Sequence, residues 1–345
     1  MSLRSVLVRT AAVSTYYSGA IAALNTVADY VTLGRNGRRG LALRKPSAQI
    51  LTYHRVNDDN DPFFPSTPTE IFQCQMEYIS RTFRVMTVEE IVERMDAGTL
   101  PRNVVAITFD DGYRDTLTHA APILARYGLP ATVFLATGFI GAGEFPWFDR
   151  LALAFKLTQV EAVTLSDGKT MPLATLSERL STLDQTLTHL KRIPDCQRRE
   201  EVTSLLSQLG VKDVQYLKDL MLSWDDVHAL TGLGFSIGAH TVNHPILARA
   251  KLAQAEKEIM GSKVMIETAL GRPVKAFAYP NGRPEDYTNE IKRLVRQVGF
   301  TCAVTTRHGV NSADDDRYEL KRGAPWDRHL PSFALKLDWY RLTHA

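Results

Sequence analysis

The chain has 345 residues, of which 44% are hydrophobic and 23% are charged, and its formal net charge is +3. This size and composition suffice for a large α/β domain and exclude a disordered, collagen-like or coiled-coil chain. So small a net charge gives no reason to expect nucleic-acid binding. The three cysteines are widely spaced and predict neither a disulfide framework nor a cysteine-based zinc site.

The first 45 residues concentrate positive charge. Residues 1–45 contain seven basic residues and one acidic residue, whereas the rest of the chain has 34 basic and 37 acidic residues. Polar residues interrupt its apolar runs, which argues against a cleavable signal or a transmembrane helix. We expect a basic helical arm that either packs on the following domain or touches an anionic membrane peripherally. The expected location is the cytoplasm or the inner-membrane surface, with the periplasm left open.

From residue 46 onwards, apolar runs alternate with amphipathic stretches. This alternation favours a parallel β-sheet flanked by helices, either open or closed as a barrel. The predicted strands lie at 50–54, 104–109, 131–135, 235–239, 274–279, 301–305 and 318–322. The predicted helices lie at 71–83, 115–127, 224–230, 251–270, 289–298 and from 332 onwards.

Residues 150–222 interrupt this alternation. A hairpin is predicted around the Asp167-Gly168 turn, and leucines at helical spacing follow it. We therefore predict one α/β domain over residues 46–345, with a mainly helical insertion at about 150–222 that caps or flanks the site.

Two adjacent carboxylates follow the predicted strand 104–109. Asp110 and Asp111 stand in the sequence Thr-Phe-Asp-Asp-Gly-Tyr. Like charges repel, and a divalent metal on one carboxylate relieves that repulsion and leaves the other as a base. The alternative is a turn that caps the next helix.

Two histidines separated by three residues follow the strand 235–239. His240 and His244 can converge on one metal ion, although such a pair also occurs by chance. Together with one aspartate they supply three protein ligands and leave a position for water, as a hydrolytic zinc site requires. The two motifs together predict a metal-dependent hydrolase more specifically than either does alone.

With these motifs in this order, the chain resembles the polysaccharide deacetylase family, also called the NodB-homology or carbohydrate esterase 4 group. The resemblance implies a distorted (β/α) barrel with its site at the carboxyl ends of the strands. It also implies that Asp110 is the catalytic base and that Asp111, His240 and His244 are metal ligands. Thr241 matches the hydroxyl residue that follows the first histidine in the family.

The third motif of the family is altered in this chain. The segment 276–282, Ala-Phe-Ala-Tyr-Pro-Asn-Gly, lacks the arginine that normally pairs with the base. Arg322 or Lys321 on the last predicted strand is the candidate replacement. The backbone N–H of Tyr279 is the candidate oxyanion donor.

The general acid has two candidates. The late Leu-x-His motif of many members is missing, and His308 and His329 lie in loop-like contexts. The segment 51–56, Leu-Thr-Tyr-His-Arg-Val, resembles the opening strand of circularly permuted, exopolysaccharide-processing members, in which this early histidine takes the acid role. His54 is therefore expected to protonate the leaving amine, and His308 is the alternative acid. The non-catalytic alternative is that His54 is a buried structural residue hydrogen-bonded to the backbone.

The resemblance implies hydrolytic removal of N-acetyl groups from amino sugars of a polysaccharide or glycolipid, in exopolysaccharide or cell-envelope metabolism. The ligand types favour Zn²⁺, although other first-row ions suit the same set. The alternatives are a hydrolase of small amides and a non-catalytic glycan-binding module. A sugar groove would need aromatic walls, for which the candidates are Trp147, Phe148, Trp224 and Trp326, although packing in the core is the more common role of each such residue.

Overall fold

A computed structural model of the protein describes residues 46–211, 217–323 and 327–343. The predicted basic arm at 1–45 lies outside these residues, as does Trp326. None of the described helices is both long enough and apolar enough to cross a bilayer.

Strands and helices alternate along most of the chain. The strands are β1 (Ser47–Tyr53), β2 (Arg84–Val85), β3 (Val104–Phe109), β4 (Thr132–Leu135), β5 (Ala162–Thr164), β6 (Thr170–Pro172), β7 (Ser236–Ala239), β8 (Ala276–Ala278), β9 (Cys302–Val304) and β10 (Asn311–Ser312). The α-helices are α1 (Thr69–Thr82), α2 (Val88–Asp96), α3 (Ala121–Arg126), α4 (Trp147–Leu157), α5 (Leu176–Leu190), α6 (Asp195–Leu209), α7 (Trp224–Gly232), α8 (Leu252–Leu270), α9 (Asn289–Gln297) and α10 (Leu330–Thr343).

The main sheet curls into a distorted barrel, as the sequence predicted. Its order is β10-β1-β3-β4-β7-β8-β9, with β2 beside β3, and every pairing in it is parallel except that of β10 with β1. Residues 320–323 bridge the gap between β9 and β1 through Leu320 against Val304 and Gly323 against Leu51. The predicted last strand is therefore reduced to isolated bridges, and these bridges close the ring.

The strands form because both of their faces are buried. All six residues of β3 are buried, and neighbours along the strand pack into different clusters. Val105, Ile107 and Phe109 join the core beneath the surrounding helices, whereas Val104 and Ala106 join a smaller cluster that α2 covers. This alternation follows the two-residue period of a strand and fixes its register.

The segment between β4 and β7 has a hydrophobic cluster of its own. It contains α4, α5, α6 and the β5–β6 hairpin, whose turn places Gly168 at a φ of +83°. Phe148 of α4 packs edge-on against His244, and the Trp147 indole N–H contacts the His244 carbonyl at 3.4 Å. The mainly helical segment therefore lies against the loop that carries the two histidines.

The interior of the sheet leaves no room for a side chain at Gly238. A methyl group there would come within 2.4 Å and 2.5 Å of two Phe134 ring carbons and 3.0 Å of the Ala276 carbonyl oxygen. Since β4 and β8 hold β7 on both sides, we expect Gly238→Ala to lower the free energy of unfolding by about 1–3 kcal/mol in urea titrations.

Gly232→Ala is the matched control, because Gly232 is exposed at the end of α7 with nothing within 4 Å of the added methyl group. Alanine favours a helix over glycine, so this variant should be at least as stable as the parent. Equal stability of the Gly238→Ala variant and the parent would contradict the packing described for β7.

Candidate active site

The carboxyl ends of β3 and β7 bring the two sequence motifs together. Asp110 and Asp111 follow β3 directly, and His240 follows β7. Parallel strands present their carboxyl ends at one face of a barrel, so these side chains meet there. All three are buried, as is His244.

Asp111, His240 and His244 form a cluster with the geometry of a metal site. One Asp111 carboxylate oxygen lies 3.5 Å from His240 Nε2 and 3.4 Å from His244 Nε2. Ligands 2.0–2.1 Å from a tetrahedral ion stand about 3.3 Å apart. That buried oxygen has no hydrogen-bond partner within the described residues. These three residues therefore fit a divalent ion.

The protonation of the cluster suits the same role. His240 Nδ1 lies 2.7 Å from the Ala278 carbonyl oxygen, so it donates its proton there and turns the Nε2 lone pair towards Asp111. Burial lowers the pKa of His240 to about 4 and that of His244 well below its usual value, which keeps both rings neutral. Burial, with the charges of Asp110 and Asp149, raises the pKa of Asp111, and a bound cation would oppose that shift.

The loop between the histidines is held in a strained shape. In this loop Thr241 and His244 have positive φ angles of 67° and 51°, although neither is glycine. Asp111, which faces the loop from the end of β3, also has a positive φ angle, of 71°. The Thr241 hydroxyl donates to the His240 carbonyl and accepts from the His244 N–H at 3.1 Å. Thr241 thus shapes the turn that directs both rings towards Asp111.

Glu258 of α8 is a second support of this loop, and no sequence motif indicated it. Its buried carboxylate accepts the backbone N–H groups of Val242 and Asn243 at 3.0 and 2.7 Å. It also accepts the Asn243 side-chain amide at 2.9 Å. A buried glutamate therefore fixes the backbone between the two histidines.

Asp110 is paired with Arg322 rather than with Lys321. The guanidinium donates to both Asp110 oxygens at 2.8 Å, and its Nε donates to the Thr305 carbonyl at 2.8 Å. Burial alone would raise the pKa of Asp110, but the Arg322 charge, aided by His240, holds it below its usual value. Lys321 instead contacts Asp315. Of the two candidates for the missing arginine, Arg322 is therefore the one that pairs with Asp110.

The structure contradicts the expectation that the Tyr279 N–H is a free oxyanion donor. That N–H donates to the Val304 carbonyl at 3.2 Å, because Tyr279 still belongs to the edge of the β8–β9 ladder. The tyrosine ring is buried and stacks on Tyr287. Two residues later, Asn281 lines the cavity with a φ of +61°, and its backbone N–H has no acceptor within the described part of the chain.

A cavity of about 1170 Å³ opens over the cluster. His54 and His308 both line it and both are exposed, so His54 is not packed in the core. Of the described aromatic candidates for a groove wall, Phe148 lines the cavity, whereas Trp147 and Trp224 pack into the hydrophobic clusters.

Asp149 is a buried carboxyl group in the cavity wall that the sequence did not single out. The Tyr113 hydroxyl donates to it at 2.8 Å, and burial raises the pKa of Asp149 to about 7. The negative charge of Asp149 contributes to raising the pKa of Asp111. Asp149 lies in α4, so the helical segment contributes directly to the electrostatics of the site.

Comparison with known proteins identifies the family. A sequence profile described as polysaccharide deacetylase matches residues 97–169 and 177–303, more than half of the chain. The chain belongs to the polysaccharide deacetylase family, whose members are hydrolases that remove acetyl groups from N-acetylated sugars. Enzymes of this family generally depend on a metal ion.

Two relatives and two solved structures are similar to the chain. YxkH of Bacillus subtilis (strain 168), named for the same family, is 22% identical over 275 residues, which cover 79% of this chain and 69% of YxkH. Poly-beta-1,6-N-acetyl-D-glucosamine N-deacetylase of Staphylococcus aureus (strain MSSA476) is 31% identical over 126 residues, which cover 32% of this chain and 43% of that enzyme. The chain thus matches less than half the length of the second relative.

The solved structures show the same fold. Streptococcus pyogenes deacetylase PplD in complex with acetate superposes with a TM-score of 0.57 at 20% identity, covering 85% of this chain and 98% of PplD. IcaB from Ammonifex degensii superposes with a TM-score of 0.56 at 18% identity, covering 86% of this chain and 98% of IcaB. At these identities the similarity establishes the barrel fold alone, and the substrate has to be inferred from the residues that line the cavity.

Removing the Glu258 carboxylate should weaken metal binding. Glu258→Ala removes the acceptor of two part-buried backbone N–H groups, so the loop can relax and move His244 away from Asp111. We expect the Zn²⁺ dissociation constant to rise about tenfold or more, the usual range for residues that support metal ligands. Competition with a chromogenic chelator measures it.

Glu256→Ala is the matched control, since Glu256 is exposed on the same helix. Its Zn²⁺ affinity should equal that of the parent. Unchanged affinity in Glu258→Ala would show that the loop keeps its shape without the buried carboxylate.

Proposed function

We propose that the protein is a metal-dependent N-deacetylase of amino sugars in an exopolysaccharide or cell-envelope glycan. The observation that carries this proposal is the buried Asp111–His240–His244 cluster beside an ionised Asp110 in an open cavity. Membership of the polysaccharide deacetylase family supports the reaction, and the named activity of the Staphylococcus aureus relative supports a poly-N-acetylglucosamine-like substrate.

Asp110 is the proposed general base. A divalent ion held by Asp111, His240 and His244, with Zn²⁺ favoured by the ligand types, would polarise the acetyl carbonyl and acidify a water molecule. Arg322 keeps Asp110 ionised and orients both of its oxygens, so the carboxylate is ready to accept a proton from the attacking water.

His54 is the proposed general acid, and Asn281 replaces Tyr279 as the proposed oxyanion donor. An amine leaves only when protonated, and His54 offers an exposed imidazole in the cavity wall. The backbone N–H of Asn281 has no acceptor among the described residues, so it is available to the developing oxyanion.

Two alternatives are less well supported. A hydrolase of small amides would suit a closed pocket, whereas this cavity of about 1170 Å³ is open and large enough for more than one sugar ring. A module that only binds glycans would not need an ionised carboxylate held beside a metal-binding cluster.

Replacing Asp110 should abolish turnover. In Asp110→Asn the amide cannot accept a proton, so we expect acetate release from N-acetylated β-1,6-glucosamine oligosaccharides to fall by about 10²–10⁴-fold, with Zn²⁺ content retained. Metal analysis, thermal unfolding and acetate assays with and without chelator report these quantities. Parent-like kcat in this variant would eliminate Asp110 as the base.

Asp115→Asn is the matched control for the lost ion pair, because Asp115 is a buried aspartate that pairs with Arg55 at 3.0 Å. It should lose stability to a similar degree and keep its turnover number. A loss of activity as large as that of Asp110→Asn would assign the effect to misfolding.

A pair of substrates separates the two candidate acids. Hydrolysis of an aryl acetate releases a stable phenolate that needs no proton to depart, whereas hydrolysis of an acetamide requires a proton on the departing amine. We therefore expect His54→Ala to lower kcat on N-acetylated oligosaccharide by about 10²–10⁴-fold and to affect 4-methylumbelliferyl acetate far less. His308→Ala, at the other exposed histidine of the cavity, should show no such selectivity. The reverse result would make His308 the acid.

A further inference from the structure

Three cations from separate parts of the chain line the cavity without a close ion-pair partner in the described structure. Lys191 ends α5, Arg283 lies in the loop after β8, and Arg328 precedes α10, and all three line the cavity. Within the described residues, no carboxylate oxygen lies within ion-pair distance of any of them. Unpaired cations converging on a pocket are what an anionic ligand requires.

Other cavity-lining cations differ in this respect. Arg55 is paired with Asp115 at 3.0 Å, and Arg322 is paired with Asp110 at 2.8 Å. These two are therefore neutralised by the protein itself. The contrast separates these two neutralised cations from three that have no carboxylate within ion-pair distance among the described residues, and the exposure of Arg283 and Arg328 places the second group towards the mouth of the cavity.

Lys191 and Arg283 are also close to each other. Burial and then the charge of Arg283 lower the pKa of Lys191, whereas the charges of Asp286, Asp111 and Asp184 raise it, so Lys191 lies near a second cation as well as near these carboxylates. The nearby Asp286 carboxylate accepts the Asn281 side-chain amide and the Arg283 backbone N–H at 2.9 Å. Asp286 is thus occupied in shaping the loop, and like charges held together are relieved by an anion between them.

We propose that Lys191, Arg283 and Arg328 bind a phosphate group, so that the preferred substrate is an N-acetylated amino sugar that carries phosphate. This inference rests on the proposed deacetylase function and specifies its substrate class. The acetamide reaches the Asp110 floor while the phosphate remains at the mouth. Arginine and lysine together provide the hydrogen-bond donors and the positive charge that a phosphate group requires, whether it is a monoester or a diester.

The phosphate has two sources, a free sugar phosphate or a lipid phosphodiester. Ile71, Leu183 and Leu187 give the same cavity an apolar wall, which an isoprenoid chain would cover. The phosphate-binding residues are common to both sources, so the test includes one substrate of each kind.

The experiment compares kcat/KM of the Zn²⁺-loaded full chain on three substrates. These are N-acetylglucosamine 1-phosphate, the neutral methyl glycoside of N-acetylglucosamine, and a short-chain isoprenyl phosphodiester of N-acetylglucosamine. We expect the phosphate-bearing sugars to be preferred over the neutral one by about tenfold or more, since each charge-assisted hydrogen bond is strong. A further preference for the isoprenyl compound would identify the lipid source, and equal use of the two would identify a free phosphate.

Two variants and two matched controls assign the preference to named residues. Lys191→Gln and Arg283→Gln should each reduce the preference for phosphate about tenfold and weaken calorimetric binding of N-acetylglucosamine 1-phosphate. Lys257→Gln and Arg272→Gln remove exposed charges away from the cavity and should change neither quantity.

The possible failures are distinguishable. Equal or better use of the neutral glycoside by the parent, or an unchanged preference in both cavity variants, overturns the phosphate site and leaves the deacetylase intact. Absence of acetate from every substrate, combined with sugar-phosphate binding that Lys191→Gln abolishes, overturns the deacetylase and supports the phosphate site.

Discussion

The buried ion pair between Asp110 and Arg322 is the contact on which both the barrel and the site depend. Its two charges come from segments 212 residues apart, the end of β3 and the bridge that closes the ring. The remaining guanidinium donors reach the Thr305 carbonyl and the Thr108 hydroxyl, which ties β3 and the chain after β9 to one side chain. A buried charge without its partner is costly, so closure of the barrel and ionisation of Asp110 reinforce each other.

The neighbouring Asp111–His240–His244 cluster differs from this ion pair, because two of its side-chain atoms have no hydrogen-bond partner among the described residues. The Asp111 oxygen and His244 Nδ1 have no hydrogen bond among the described residues, whereas the supports around them are fully engaged. Glu258 holds the loop, and the Ala278 carbonyl sets the tautomer of His240. The backbone of the histidine loop is thus held by the protein, while the Asp111 oxygen that faces both histidine Nε2 atoms is left without a hydrogen bond among the described residues.

Sequence reasoning predicted the barrel and brought Asp110, Asp111, His240 and His244 to one place, because parallel strands end at a common face. It failed at Tyr279, since a strand's hydrogen-bonded edge cannot be located to within one or two residues from apolar pattern alone.

Glu258 and Asp149 were missed for another reason. Each lies on a helix, and its partner is more than ten residues away in the sequence, so no local spacing reports the contact. The sequence alone also could not decide whether Arg322 or Lys321 pairs with Asp110. Neighbouring side chains of an extended segment point to opposite faces, and only the structure shows which face of residues 320–323 is turned towards Asp110.

The position of the closing bridge has a consequence for synthesis on the ribosome. Residues 320–323 emerge after all six parallel strands of the ring, so a nascent chain carries an open gap between β9 and β1 until then. During that interval the edges of β1 and β9 lack part of their ladder, and Asp110 lacks its cation. Chain elongation therefore sets the moment at which Asp110 gains its Arg322 partner and its carboxylate is fixed in place.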